Sequence, residues 1–294
     1  MVSVTLRTFP EVPACLGSVT VNTANVTAFW DVIRSLHVHL PELNDDGGAG
    51  YYFITPSANA TSTSSLILTL IFANQSDQAK MDALHAPMVA EMVKIVGNSS
   101  VAYTSLVMPQ TKYYFEATLP DEADTGGVFI AIGSRLISRD FLTTPEGPAR
   151  LTEVLKTIAA DGRGGSMTGH VVAGGQVARN VDIDSAVNPA WRRTLTHVVF
   201  GQGWDANTTW AEQKAIKERI TNKHMPLLRA LEPDMGAYLN EADGNEADFQ
   251  ASFWGDKYGK LYKIKKKWDP RGLFITRRGV GSEEWDADGL CRVR

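Results

Sequence analysis

The chain holds few of the features that would fix its class at once. Only two of its 294 residues are cysteine, Cys15 and Cys291. Two thiols cannot build a disulfide framework, and at this separation they do not read as a redox or zinc pair; one long-range disulfide between them stays open. No apolar stretch approaches the roughly 20 residues that cross a bilayer. The longest, residues 66–72, is interrupted by Thr69 and is the size of a strand. Lys and Arg total 29 against 33 Asp and Glu, a net charge of -4, so there is no overall basic field to hold nucleic acid. The one dense basic run, residues 263–267 interrupted by Ile264, reads as the wet face of a helix. Residues 1–20 show no basic region followed by an apolar core, so no secretory leader is expected there. Neither a G-x-G-x-x-G nor a G-x-x-x-x-G-K-[ST] loop occurs, which removes the two commonest nucleotide cradles; the glycines at 162–165 and 279–281 read as turns.

What is present is an ordinary globular composition, 44% hydrophobic and 21% charged, with enough length to bury a sizeable core. Val2, Val4 and Leu6 alternate with polar residues, the period of a half-buried strand. Further strands are expected at 15–21, 51–54, 66–72, 101–107, 128–137, 167–178 and 195–200, the sixth carrying Gly174 and Gly175 inside it. Phe29, Ile33 and Leu36 recur at helical spacing, with Pro41 closing that helix and a turn-rich loop over 44–50. A second helix is expected from Ser76 through Met92, a short one over 152–159, and a long one from Thr208 or Thr209 through Leu227. If Thr209 caps that last helix, Glu212 stands where a capping box needs its acid. Strands dominate without regular strand–helix alternation. The expected class is therefore α+β: an antiparallel sheet with helices packed on one face, over 1–232, and a helical C-terminal tail over 233–294. Five N-x-[ST] sequons, at Asn25, Asn59, Asn74, Asn98 and Asn207, suggest a glycosylated parent of the secretory pathway.

From Gly236 onward the sequence becomes distinctive. Tyr238, Asn240, Glu241 and Asp243 are followed by Phe249, Phe253-Trp254-Gly255, Tyr258, Leu261, Ile264-Lys265, Asp269-Pro270 and Leu273-Phe274. Trp254, Tyr258, Leu261, Lys265 and Trp268 fall on one helical stripe, and Asp269-Pro270 stops it. About a dozen positions, in order and with the expected gaps, resemble the C-terminal signature of berberine-bridge-like oxidases of the vanillyl-alcohol-oxidase superfamily. Pro189-Ala190-Trp191-Arg192 resembles the fungal-type version, and residues 4–13 resemble the strand that follows the flavin domain in complete members.

The resemblance implies an FAD-dependent oxidoreductase acting on a small organic or secondary-metabolite substrate. It also implies that residues 233–294 pack on a separate FAD-binding domain. Complete members often attach FAD through a histidine, sometimes with a cysteine as well; none of the six histidines here lies in that attachment motif. The chain would then supply a wall of the active site without the flavin cradle, and would not hold FAD or turn over alone. Phe249, Phe253, Trp254 and Trp268 are expected to be uncovered where that domain would sit.

The resemblance places Tyr238, Asn240 and Glu241 in the segment that runs back towards the flavin ring. Asn240 is the candidate cofactor contact; Tyr238 and Glu241 are candidate catalytic residues. If 238–241 is extended, Glu241 points away from the other two unless the chain bends. Plant members carry a glutamine or glutamate base on the strand that corresponds to 195–201. Val199 stands at that position, so the usual base is in doubt. His197, on the same strand face, is the best local substitute, and His170 on a neighbouring strand a weaker one. No His/Asp/Glu spacing suggests a metal site, and Asp182 and Asp184 read as turn residues. Two rivals use the same residues: a non-redox isomerase or cyclase working by proton transfer at Glu241 or His197, and an inactive remnant or binding module. The partners expected are a small molecule and a separate FAD-binding domain or chain, not nucleic acid or membrane.

Overall fold

The computed structural model describes residues 3, 5, 8–57, 62–112, 129–161, 165–286 and 289–293. Val2, Val4 and Leu6 of the strand expected at 2–6, the start of the 128–137 strand at Val128, the sequon at Asn59 and most of the glycine turn at 162–165 lie outside these residues. Seven strands form one sheet: β1 (Ala14–Thr23), β2 (Gly48–Thr55), β3 (Ser64–Ala73), β4 (Val101–Met108), β5 (Ile130–Ser138), β6 (Met167–Val171) and β7 (Thr194–Gly203), in the order β4-β1-β3-β2-β6-β7-β5. Every neighbouring pair is antiparallel. This is the expected α+β sheet.

Alternation decides which face is filled. On β3, Leu66, Leu68, Leu70 and Phe72 are buried, and on β1 Val19 and Val21; both sets join one large apolar core. That core is closed by α1 (Val26–Asp45) and α2 (Gln78–Val96), with α3 (Arg139–Leu142) and α4 (Gly147–Ala160) beside them. The opposite face carries Tyr51, Phe53, Ile67 and Leu106, exposed by 42%, 40%, 40% and 56%. One face is thus covered by helices and the other largely is not. None of the described helices is long and apolar enough to cross a membrane.

Local chemistry accounts for the helix ends. Asn25 caps α1 by accepting from the Ala28 amide, and Asp77, one residue past the expected Ser76, caps α2 through the Lys80 amide. Helix α1 does not stop at Pro41 but runs through it to Asp45. Proline there leaves one carbonyl without its helical donor, yet Leu40 and Leu43 continue the buried stripe, and their packing outweighs the lost bond. The loop expected over 44–50 shrinks accordingly to a turn before β2. Strand β6 ends at Val171, short of the expected 178, because Gly174 and Gly175 take positive φ angles of 77° and 43° and turn the chain into α5 (Gly175–Arg179). The Thr209–Glu212 capping box forms at the start of α6 (Trp210–Arg219), which passes through a π-turn, Ile220–His224, into α7 (Met225–Arg229).

A buried polar chain ties the sheet to the helices. Thr196 donates to the Tyr52 hydroxyl (3.3 Å), which reaches His37 Nε2 (3.4 Å); His37 Nδ1 lies 3.2 Å from Thr152 Oγ1, which donates to Pro148 O (2.8 Å). Each hydroxyl in this series can give one proton and take one, so a neutral His37 completes it. Gly169 makes room for the Tyr52 ring: a Cβ there would fall 1.8 Å from Cζ.

The C-terminal stretch meets β5. Gly236 O accepts from the Leu136 amide (2.9 Å) and Pro233 O from the Arg135 guanidinium (3.1 Å). Glu246 is wholly buried and binds Arg229 (2.9 Å) and the Ser252 hydroxyl (2.9 Å). Two expectations fail here. Phe249 and Phe253 are not uncovered; each is 5% exposed and packs with Ala237, because α8 (Phe249–Trp254) folds onto the 236–237 segment. The helical stripe from Trp254 to Trp268 is broken at Gly255 (φ 55°) before α9 (Tyr258–Trp268) begins, and no residue of α9 is fully buried. Trp268, Leu273, Phe274 and Leu290 are exposed by more than three-quarters. In the basic run, Lys265 pairs with Asp269 and Lys266 with Glu284. Cys15 is buried and Cys291 exposed, and both are free, so the disulfide left open by the sequence is not formed.

Two outcomes follow. Glu246→Ala leaves Arg229 without its carboxylate, and urea unfolding is expected to show a loss of about 3 kcal/mol; a change below about 0.5 kcal/mol would mean the pair does not anchor the tail. Burial lowers His37 from 6.5 to about 3. The unfolded chain therefore gains a proton below about pH 6.5 that the folded chain refuses. Stability is complete above that pH and is lost as pH falls towards 3, by up to about 1.4 kcal/mol per unit. Urea titrations at stepped pH check this, and His37→Gln should flatten the slope.

Candidate active site

Cross-strand register builds the site on the uncovered face. Tyr51 of β2 pairs with His170 of β6, and His170 with His197 of β7. Three side chains from strands distant in sequence therefore stand in a row. Their rings touch: Tyr51–His170 at 5.1 Å and His170–His197 at 5.2 Å between centroids. Val199 follows two residues on, opposite Thr168, on the same face as His197, whereas Val198 and Phe200 enter the helix-covered core. The expectation that His197 and Val199 point together, away from the helices, holds.

Trp191 reaches the row from a 3-10 turn, Pro189–Arg192. Asn188 starts that turn by accepting from the Ala190 amide and donates to Ser252 O (2.8 Å). The Trp191 ring lies 5.8 Å from His197 and 6.1 Å from Tyr238. The 236–241 segment arrives along β5, held by Gly236 O and by the Ala237 amide bonded to Ser252 O (2.8 Å). It is not extended beyond Tyr238: a 3-10 turn, Leu239–Glu241, supplies the bend that an extended segment lacks. The bend sends Glu241 back over the histidines, with Oε2 3.3 Å from His170 Nδ1 and 3.6 Å from His197 Nδ1. Tyr238 closes on His197 (6.0 Å between rings). Asn240 stays at the rim, exposed, donating to the Tyr238 hydroxyl (2.6 Å).

Of the four residues singled out in the sequence, His197, Tyr238 and Glu241 meet, and Asn240 acts on Tyr238 from outside. His170, the weaker candidate, is a full member. Its two-residue strand phase was readable, but its pairing with His197 depends on register between strands 27 residues apart. Trp191, Tyr51 and Phe53 were not singled out as site residues. Together with His170, Tyr238 and Glu241 they line an open cavity of about 650 Å³. A smaller cavity of about 280 Å³ lies in the tail among Phe249, Arg277, Arg278 and Trp285; it contains no histidine.

Electrostatically the floor of the larger cavity is unusual. His197 is 0% exposed, and neither ring nitrogen has a hydrogen-bond partner; Glu241 Oε2 is likewise buried and unbonded. Burial first, and the neighbouring His170 second, bring His197 down to about 3. Burial also lowers His170, with Glu241 opposing the shift. Both imidazoles are therefore neutral at neutral pH, each with a lone pair to offer. The sequence spacing gave no hint of a metal site, but the fold brings ligand atoms of His170, His197 and Glu241 within 4.8 Å of one another. Asp184, read as a turn residue, pairs with Lys260 on the surface.

Residues 237–281 match the family model described as berberine and berberine like. Over 99% of its length the chain is 42% identical to an uncharacterized FAD-linked oxidoreductase of Arthroderma benhamiae, covering 50% of that protein. It is 34% identical over 98% of its length to the FAD-linked oxidoreductase malF of Malbranchea aurantiaca, covering 48% of it. The VAO-type flavoprotein MtVAO713 of Myceliophthora thermophila C1 superposes with a TM-score of 0.81 at 26% identity, over 94% of this chain and 49% of that one. The chain thus spans about half the length of the relatives it matches. Signature segment, full-length similarity to these fungal relatives and shared fold together make it a berberine-bridge-like protein of the vanillyl-alcohol-oxidase superfamily.

Proposed function

We propose that this chain forms the substrate-facing wall of an FAD-linked oxidoreductase that oxidises a small, partly aromatic alcohol or amine. The observation that carries the reading is the placement of Glu241 over two neutral histidines at the floor of an aromatic-walled cavity. The residues present fit one edge of a flavin ring: Tyr51, Phe53 and Tyr238 offer apolar faces, and the Asn240 amide stands at the rim. No described segment forms a pyrophosphate-binding loop, so the rest of the cofactor would be held by a separate FAD-binding domain or chain. The units proposed are residues 1–232 as the substrate-binding part and 233–294 as the segment that packs on that domain. The exposed Trp268, Leu273 and Phe274 are in keeping with such a contact.

Bound FAD would supply the hydride acceptor and pass the electrons to dioxygen. The chain's own residues bind the substrate and handle its proton. Tyr51, Phe53 and Trp191 hold an apolar ring and keep water from one side. Asn240 fixes the Tyr238 hydroxyl, and Tyr238 packs on His197. Glu241 takes the proton from the substrate hydroxyl or amine as the C–H bond breaks, and His170 Nδ1, 3.3 Å away, steadies the acid that forms. Val199 cannot move a proton, so Glu241 replaces the strand base that plant members place there. His197, buried and unbonded, positions Glu241 rather than meeting the substrate. The four described sequon asparagines, Asn25, Asn74, Asn98 and Asn207, are all exposed, which supports a secreted, glycosylated parent.

The test uses the complete, flavin-bearing protein. Glu241→Gln should lower the rate of substrate-dependent flavin reduction by about 100-fold or more, with the flavin spectrum unchanged. A variant that reduces flavin at the parent rate would remove Glu241 from the chemistry. A parent protein that converts substrate without reducing flavin would favour the proton-transfer isomerase or cyclase instead.

A further inference from the structure

We propose that His170, His197 and Glu241 bind one divalent transition-metal ion of the zinc class at the floor of the cavity. Their ligand atoms lie within 4.8 Å of one another, and the two contacts to Glu241 Oε2 are 3.3 and 3.6 Å. A tetrahedral zinc with bonds of about 2.0–2.1 Å sets neighbouring ligand atoms about 3.4 Å apart. The two contacts to Glu241 already stand near that spacing, and all three ligand atoms lie within 4.8 Å.

The second observation is an unmet demand. His197 is 0% exposed with both ring nitrogens unbonded, and Glu241 Oε2 is buried without a hydrogen bond. Each neutral imidazole could turn an Nδ1–H towards the carboxylate, yet neither His197 nitrogen nor Glu241 Oε2 has a hydrogen-bond partner. A cation between the three atoms satisfies all of them at once. Two imidazoles and one carboxylate, with no thiolate, suit zinc and its first-row neighbours rather than calcium or magnesium, which want oxygen alone. Three protein ligands leave a fourth position open, and two of the three, His170 and Glu241, line the cavity with Trp191 and Tyr238, the arrangement of a catalytic rather than a structural site.

The scaffold is rigid where a metal needs it to be. His170 and His197 are cross-strand partners in the sheet, and Glu241 ends a turn pinned at Gly236 and Ala237. Other histidine–carboxylate contacts, His39–Glu91 and His224–Asp161, each offer only two ligands. His197 Nε2 lacks the carboxylate or carbonyl that usually buttresses a ligating imidazole, which holds affinity some 10–100-fold below buttressed sites. Micromolar binding is therefore expected. With the ion bound, a substrate hydroxyl would meet a Lewis acid; in the metal-free site Glu241 is left to act as the base. Binding itself does not depend on the flavin reading.

The experiment titrates Zn2+ into the chelator-treated 294-residue chain by calorimetry, with visible spectra of Co2+ as a second probe. One Zn2+ per chain, and the ligand-field bands of tetrahedral Co2+, are expected. Glu241→Gln and His170→Ala should each weaken Zn2+ by about tenfold or more, and His39→Ala and His224→Ala should leave it unchanged. Circular dichroism confirms that the variants fold, and the near-isosteric Glu241→Gln keeps the test open if a histidine variant does not. No saturable Zn2+ on the parent chain overturns the proposal. So does Zn2+ that Glu241→Gln and His170→Ala hold as tightly as the parent does, because the ion then sits elsewhere. Neither result touches the flavin-reduction test.

Discussion

An antiparallel sheet covered by helices on one face only has two unlike surfaces, and the site depends on that asymmetry. Side chains alternate along each strand. The residue that fills the core and the one that faces outward are thus fixed together, and a slip of one residue would exchange them. Leu66, Leu68, Leu70 and Phe72 commit β3 to one phase, and Tyr52, Ile54 and Val198 commit β2 and β7 to theirs. Tyr51, His170 and His197 are then carried to the outer face without any contact of their own having to place them. The buried series Thr196, Tyr52, His37 and Thr152 reinforces this phase from the core side. Each member is satisfied in only one arrangement.

The outer face alone would be a shallow wall. Depth comes from the C-terminal stretch, which is anchored on both sides of the site. Glu246 holds it to α7 through Arg229, and the 236–237 backbone joins β5 and α8. Between those anchors the 3-10 turn at 239–241 reverses the chain and drops Glu241 onto the histidines. A partly buried carboxylate and two desolvated imidazoles are costly to assemble. That cost is borne by the core on the other side of the sheet, which is where most of the fold's apolar burial lies.

Much of this was legible in the sequence because it is local. Period-two runs gave the strands, Thr209 and Glu212 gave a cap, and the spacing of Tyr238, Asn240, Glu241 and the aromatic residues after them gave the family. His197 and Val199 could be put on one face by counting. What failed was non-local. Pro41 reads as a stop only when the helix is considered without the core that Leu40 and Leu43 join. Gly174 and Gly175 looked like a bulge, yet their positive φ angles end the strand. Phe249 and Phe253 looked exposed because their partner, the 236–237 segment, is in contact through space. His170 was undervalued because no spacing rule links it to His197 or Glu241; only the β6–β7 register does.

The site stands on Glu241 contacting His170 and His197 together and none of the other four histidines. The most direct measurement is the side-chain 15N spectrum of the six histidines at neutral pH, in the parent and in Glu241→Gln. The structure predicts that the His170 and His197 signals both move, while His37, His39, His85 and His224 stay in place. A spectrum in which only one of the pair moves, or in which neither does, would contradict it.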